Sequence, residues 1–127
     1  HLRQAGGGTI VHLSSGAGLV PLRLRSGYAA SKAGLQMFSK SLALELADSG
    51  IRVNVVCPGA VDTPLLRSSI DPAGDAEAQL QAVRDRYALR RIADPAEIAA
   101  AILWLTSGES SYVTGVALAV DGGRTFH

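Results

Sequence analysis

The sequence predicts an α/β fold built around a small parallel β-sheet. Short β-branched runs alternate with stretches of helical periodicity along the chain. Each pair of strand candidates is separated by enough residues for a helix, and strands joined through helices pair in parallel with right-handed crossovers. Hydrophobic residues make up 47% and charged residues 18% of 127, so the chain can bury a core and is not a disordered polymer.

The first strand is Thr9-Ile10-Val11-His12-Leu13, led in by Gly6-Gly7-Gly8 and left through the loop Ser14-Ser15-Gly16-Ala17-Gly18. From about Tyr28 to Ala47 the spacing is helical, because Leu35, Phe38, Leu42 and Leu46 recur at three and four. Ser49-Gly50 ends that helix, with Gly50 as a left-handed cap. Ile51 to Val56 is the second strand, closed by Cys57-Pro58-Gly59 because proline cannot continue a central strand. Asp62 to about Ala76 reads as a loop, with Pro64, Ser68-Ser69, Pro72 and Gly74. A helix follows from about Ala76 to Leu89, with Leu80, Val83 and Tyr87 on one stripe. Asp94-Pro95-Ala96-Glu97 starts another, with Asp as N-cap, Pro at the first position and Glu at the third. It runs to Thr106 and stops at Ser107-Gly108. Val116 to Val120 is the third strand, ended by Asp121-Gly122-Gly123.

Several function classes are excluded early. Twelve basic residues oppose eleven acidic ones, a net of +1, so no nucleic-acid partner and no polybasic membrane surface is expected. The longest apolar run, Ile98 to Leu105, is eight residues, against the roughly 20 of a membrane span. No basic-then-apolar signal segment opens the chain, so a cytoplasmic location is expected. Cys57 is the single cysteine, which rules out an internal disulfide and a cysteine metal cluster. The histidines are His1, His12 and His127, two of them terminal, so no metal site is expected.

Three segments could carry chemistry. Tyr28 and Lys32 are one helical turn apart and share a face. An ammonium beside a phenol favours the phenolate, and such a tyrosine can exchange a proton with an alcohol or carbonyl oxygen. The same spacing is met by an ordinary surface pair. Ser14 and Ser15 lie just beyond the first strand, where open α/β sheets bind ligands, yet serines also simply form turns. Pro58-Gly59-Ala60-Val61-Asp62-Thr63-Pro64 occupies the same place after the second strand. It is either a rigid exit turn or a surface for a closely approaching ligand, with Thr63 supplying a donor and an acceptor. Gly16-Ala17-Gly18 fails as a dinucleotide fingerprint, because the third glycine is replaced by Pro21 and no helix opens there. Gly6-Gly7-Gly8 fails because it precedes its strand.

Together these pieces resemble the short-chain dehydrogenase/reductase family over nearly the whole chain. Gly8-Thr9-Ile10-Val11-His12-Leu13-Ser14-Ser15 is similar to the family's serine strand, and Tyr28-Ala29-Ala30-Ser31-Lys32-Ala33-Gly34 to its Tyr-x-x-x-Lys helix. Ser15 precedes Tyr28 by thirteen residues, the family's usual separation, so the catalytic serine is carried to Ser15 rather than Ser14. Ile51-Arg52-Val53-Asn54 with Pro58-Gly59 and Thr63-Pro64 resembles the next strand and its cofactor loop. Asp94-Pro95-Ala96-Glu97-Ile98-Ala99, then Tyr112-Val113-Thr114-Gly115 with Asp121-Gly122-Gly123, resemble the closing helix and strand.

The resemblance implies the C-terminal half of a doubly wound, Rossmann-type parallel sheet, with residues 1–127 as its catalytic half. It implies hydride transfer between NAD or NADP and a small-molecule carbonyl or alcohol. Tyr28 would exchange the proton with the substrate oxygen. Lys32 would favour the phenolate and hydrogen-bond the nicotinamide ribose. Ser15 would orient the substrate oxygen. Pro58, Gly59, Val61 and Thr63, with Tyr28 and Lys32, would hold the nicotinamide end, and residues from about 65 to 90 would form a substrate lid. The family's glycine-rich phosphate turn and active-site asparagine would lie before His1, in an N-terminal half absent from this sequence. A homo-oligomer, or association with that missing half, is expected. The rival reading is a non-catalytic remnant of the family serving as an interaction module. A serine hydrolase is disfavoured, since there is no nucleophile-elbow sequence and no well-placed histidine.

Overall fold

A computed structural model describes residues 1–125. Phe126 and His127, the end of the expected single unit, lie outside the described residues. The order is β1 (Gly8–Leu13), α1 (Ser26–Leu46), β2 (Ile51–Pro58), α2 (Pro64–Arg67), α3 (Ala76–Arg84), α4 (Pro95–Thr106) and β3 (Ala117–Val120). The strands form one sheet in the order β1-β2-β3, and both pairings are parallel. Gly8 to Leu13 face Ile51 to Val56, and Val55 to Pro58 face Ala117 to Val120.

Helices cover both faces, as the alternation of β2 requires. Ile51 and Val53 point to one face and join Ala43, Leu42 and Leu46 of α1 and Ile10 of β1. Val56 points to the other and joins Ile98, Ile102 and Leu105 of α4 with Val11 and Leu118. A strand buried on both faces reads as a nearly continuous apolar run, and Val53, Val55, Val56 and Cys57 are fully buried.

Arg52 and Asn54 interrupt that run on the α4 face, and each is paired. The Asn54 amide donates to the Val113 carbonyl at 2.9 Å, and its oxygen accepts the Val116 N–H at 3.1 Å. Arg52 donates to the carbonyls of Leu105, Ser107 and Val113 at 3.0, 3.1 and 2.9 Å. A cation thus meets the negative end of the α4 dipole and its unpaired carbonyls.

Local signals set several boundaries. Asp94 accepts the Ala96 N–H at 2.7 Å while the Glu97 carboxylate accepts the Asp94 N–H at 2.9 Å, a reciprocal cap on α4. The two Arg91–Glu97 contacts, both 2.6 Å, hold the Glu97 carboxyl at about 2, with the Asp94 N–H contributing. Gly50 has φ +66° and ends a short 3-10 extension of α1, as the sequence predicts.

Beyond shifts of one or two residues at the ends of β1, α1 and β3, three boundaries differ from expectation. Pro58 is the last residue of β2 rather than its stop. Ser14 N–H donates to the Val56 carbonyl and Gly59 N–H to the Val120 carbonyl, so the nitrogen of Pro58 faces the β1 side. There β1 has already ended, and the missing N–H breaks no ladder bond. The loop after Asp62 contains α2, whose Thr63-Pro64 start is a cap followed by a proline at the first helical position. Helix α3 ends at Arg84, not Leu89, because two tertiary bonds draw the chain away. Ala60 N–H donates to the Tyr87 hydroxyl at 2.8 Å, and Leu89 N–H to the Gly122 carbonyl at 3.1 Å.

Two stability predictions arise here. Leu24 has φ +61° and is 94% exposed, so it bears left-handed strain with little packing in return. Leu24→Gly is expected to stabilise the chain by about 0.5–1 kcal/mol in urea unfolding. A destabilised variant would contradict the strain argument. The free edge of β1 carries no proline or lysine, and Met37, Phe38, Leu44, Leu103 and Tyr112 are exposed on the helices and the segment after α4. The chain is therefore expected to elute, at micromolar concentration, as a species heavier than its 13.1 kDa. A sharp monomer peak in light scattering would refute this.

Candidate active site

The carboxyl ends of three parallel strands lie at one edge of the sheet, and the candidate residues gather there. Ser14 N–H donates to the Val56 carbonyl at 2.8 Å, so the turn after β1 is stitched to the end of β2. The two serines differ sharply. Ser14 is buried, and its hydroxyl donates to the Lys32 carbonyl at 2.9 Å while accepting from Gln36 at 3.2 Å. Ser15 is only half-buried. Its oxygen accepts the Ala17 N–H at 3.1 Å, and its proton is donated to no group among the described residues. Of the two, Ser15 can still serve an external oxygen.

Helix α1 brings Tyr28 and Lys32 to the same edge. The Lys32 ammonium lies 5.7 Å from the centre of the Tyr28 ring and donates to the Leu13 carbonyl at 3.3 Å. That bond ties the lysine to the end of β1 and leaves two of its three N–H donors. Tyr28 is 42% exposed.

Pro58 and Gly59 leave β2, and Val61 makes a parallel bridge to Ala93. The bridge is closed by Ala93 N–H to the Ala60 carbonyl at 3.0 Å and Asp62 N–H to the Ala93 carbonyl at 2.9 Å. Val61's own N–H and carbonyl therefore face away from Ala93. Thr63 Oγ1 donates to that carbonyl at 3.3 Å and weakly accepts the Leu66 N–H at 3.4 Å. Thr63 is thus both the α2 cap and a candidate ligand group. Gly59 is a close approach, since a Cβ there would lie 2.7 Å from the Tyr87 ring.

Other titratable groups are explained by packing. Burial pushes the Cys57 thiol up, outweighing its contacts to Ser14 and Ser15, so it is an inert strand residue. Burial likewise raises the Tyr87 phenol, which accepts from Ala60. His12 Nδ1 lies 2.8 Å from Ser39 Oγ, whose own proton goes to the Leu35 carbonyl. Nδ1 must therefore donate.

Two clefts border the Pro58–Thr63 segment. One, of about 300 Å³, is lined by Ala60, Tyr87 and Asp121 to Gly123 among others; the second, of about 510 Å³, lies between α2, α3 and residues 91–94. Neither includes Ser15, Tyr28 or Lys32, which stand on an open face. No cluster of metal-binding side chains occurs among the described residues. No helix among them is long and apolar enough to cross a membrane.

An open parallel sheet with helices on both faces and polar side chains gathered beyond the carboxyl ends of its strands is the arrangement of the doubly wound α/β class, whose ligands bind at that edge. The family model described as enoyl-(acyl carrier protein) reductase matches residues 1–125. The chain belongs to the short-chain dehydrogenase/reductase family. It is 44% identical over 120 residues to 3β-hydroxysteroid dehydrogenase 1 of Eggerthella lenta, covering 94% of this chain and 44% of that protein. It is 46% identical over 125 residues to cis-4-hydroxycyclohexanecarboxylate dehydrogenase of Sinomonas cyclohexanicum, covering 98% and 48%. The structure of L-sorbose reductase from Gluconobacter frateurii, complexed with NADPH and L-sorbose, superposes with a TM-score of 0.91 at 37% identity, over 98% of this chain and 50% of that one. The chain thus spans about half the length of the relatives it matches.

Three contributors were not singled out by sequence reasoning. Gln36 had a usable signal, standing four residues beyond Lys32 on the same helical face. Tyr87 and Asn54 had none, because their partners lie 27 and about 60 residues away.

Proposed function

We propose that this chain is the catalytic half of an NAD(P)-dependent oxidoreductase that interconverts a small-molecule carbonyl and alcohol. The observation that carries this is the gathering of Ser15, Tyr28 and Lys32 at the end of β1, with Lys32 anchored to the Leu13 carbonyl. Bound nicotinamide would supply or accept the hydride. In reduction, Tyr28 gives its proton to the substrate oxygen as the carbon is reduced; in oxidation it takes the proton back. The Ser15 hydroxyl, with its proton uncommitted, donates to the same oxygen and stabilises charge developing there. Lys32 places a positive charge beside the phenol and keeps donors for a ribose hydroxyl.

The donor set after β2 fits a nicotinamide carboxamide. Such a group needs one acceptor and one donor, and Val61 turns a main-chain N–H and carbonyl away from its bridge, beside Thr63. Pro58 and Gly59 set the height of that segment. Residues from about 65 to 90 form a lid over the substrate, with its end pinned by Tyr87 and Leu89. The working form is a cytoplasmic homo-oligomer or an assembly with the remaining half of the fold.

The test is loss of nicotinamide absorbance with a panel of carbonyl substrates. It is run on the chain fused to the half of the fold that the relatives carry beyond the matched region. No turnover with either cofactor, in a fusion shown to be folded, overturns the proposal. The chain alone carries no glycine-rich strand-turn-helix to cradle a pyrophosphate. It is therefore expected to bind NADH or NADPH with Kd above about 1 mM, and micromolar binding in calorimetry would contradict this.

A further inference from the structure

Tyr28, Lys32 and Gln36 follow one another at four-residue intervals, so a single face of α1 carries all three. The face descends from the surface into the interior: Tyr28 is 42% exposed and Gln36 only 6%. Burying a carboxamide is costly unless its polar atoms find partners, and an apolar side chain would fill the same space more cheaply. Both donor protons of Gln36 go to one place. Its Nε2 donates to Ser14 Oγ at 3.2 Å and to the Ser15 carbonyl at 3.3 Å. The Ser14 proton is already given to the Lys32 carbonyl, so Ser14 Oγ can only accept from Gln36, which fixes the orientation of the amide.

The turn is also held by close approach. A Cβ on Gly18 would lie 2.8 Å from both the Ala33 nitrogen and the Lys32 carbonyl carbon. The Ser14–Gly18 turn is therefore clasped against α1 at the level of Lys32. The two remaining members of the candidate trio, Ser15 and Tyr28, sit on separate elements, and the Gln36 clasp joins those elements about two turns from Tyr28.

We infer that Gln36 is a positioning residue, whose carboxamide sets the height of Ser15 over α1 so that the Ser15 hydroxyl and the Tyr28 phenol address one substrate oxygen. The inference rests on the proposed roles of Ser15 and Tyr28. It acts through Ser15 and touches neither substrate nor cofactor.

The experiment is a double-mutant cycle in kcat on the active fusion, with Gln36→Met and Ser15→Ala. Methionine keeps the volume of Gln36 and loses its donors. Gln36→Met is expected to lower kcat about tenfold, with KM for the cofactor changed less than about twofold. Added to Ser15→Ala, it should cost less than about a further twofold, because the group it positions is gone. Two outcomes overturn the inference while leaving the catalytic reading intact: losses that multiply, or a Gln36→Met enzyme with normal kcat where Ser15→Ala is impaired. Normal turnover in Ser15→Ala overturns the catalytic reading and this inference with it. If Gln36→Met fails to fold, the cycle is run with Gln36→Asn, which stays polar but is one carbon too short to reach both acceptors. Its kcat is expected to fall in the same non-additive way, and multiplying losses overturn the inference there too.

Discussion

Tyr28→Phe is expected to lower kcat by at least about 10²-fold in the active fusion, with little change in KM. The substitution keeps the ring and removes only the hydroxyl. Tyr28 is 42% exposed, and its hydroxyl makes no hydrogen bond among the described residues, so the fold should not notice the change. An unchanged unfolding midpoint with collapsed turnover separates a lost proton donor from a damaged structure. Undiminished turnover would remove Tyr28 from the reaction, whatever becomes of Ser15. The rate effect is large because no neighbour can replace the phenol. Lys32 is committed in part to the Leu13 carbonyl, and among the described residues no base accepts the Ser15 proton.

Asn54→Ala is expected to destabilise the chain by about 2–4 kcal/mol. Asn54 is 1% exposed and satisfies two main-chain groups, the Val113 carbonyl and the Val116 N–H. Alanine leaves both inside the protein. The Val113 carbonyl keeps Arg52, but the Val116 N–H loses the side-chain acceptor that pairs it. The segment that carries β3 into the sheet would loosen, and with it the Asp121–Gly123 turn that receives the Leu89 N–H. Small domains are stable by only about 5–15 kcal/mol, so this is a large share. Urea unfolding followed by far-UV circular dichroism measures it, and a loss under about 1 kcal/mol would show that Asn54 is not the tie we describe.

Much of the molecule was legible in one dimension wherever the informative partner lies within a turn or two. The 3.6 period of α1, the β-branched runs of β1 and β2, and the Asp94-Pro95-Ala96-Glu97 cap all act over four residues or fewer, and all are found where they were expected. The Tyr28–Lys32 face is of the same kind. Placement of Ser15 and of the Pro58–Thr63 segment at one edge also followed, since strands joined through helices must end on the same side.

The tertiary structure decided what depends on neighbours distant in the chain. Pro58 stays inside β2 because β1 ends opposite Val56, two residues earlier, a fact of register and not of composition. Helix α3 stops at Arg84 because Tyr87 finds Ala60 and Leu89 finds Gly122. Thr63 caps α2 and gives its own proton to the Val61 carbonyl. Ser15 is preferred to Ser14 on the separation the family resemblance implies; only the fold reveals that the Lys32 carbonyl and Gln36 consume the Ser14 hydroxyl, while the Ser15 proton goes to no group among the described residues. By itself, then, the sequence determined most of the elements, their parallel pairing and the helix face that carries Tyr28 and Lys32, because these follow from periodicity, crossover geometry and local hydrogen bonding. Which hydroxyls and amides remain free to meet a ligand was decided by the packed fold, because a polar group's availability depends on every partner that reaches it in space.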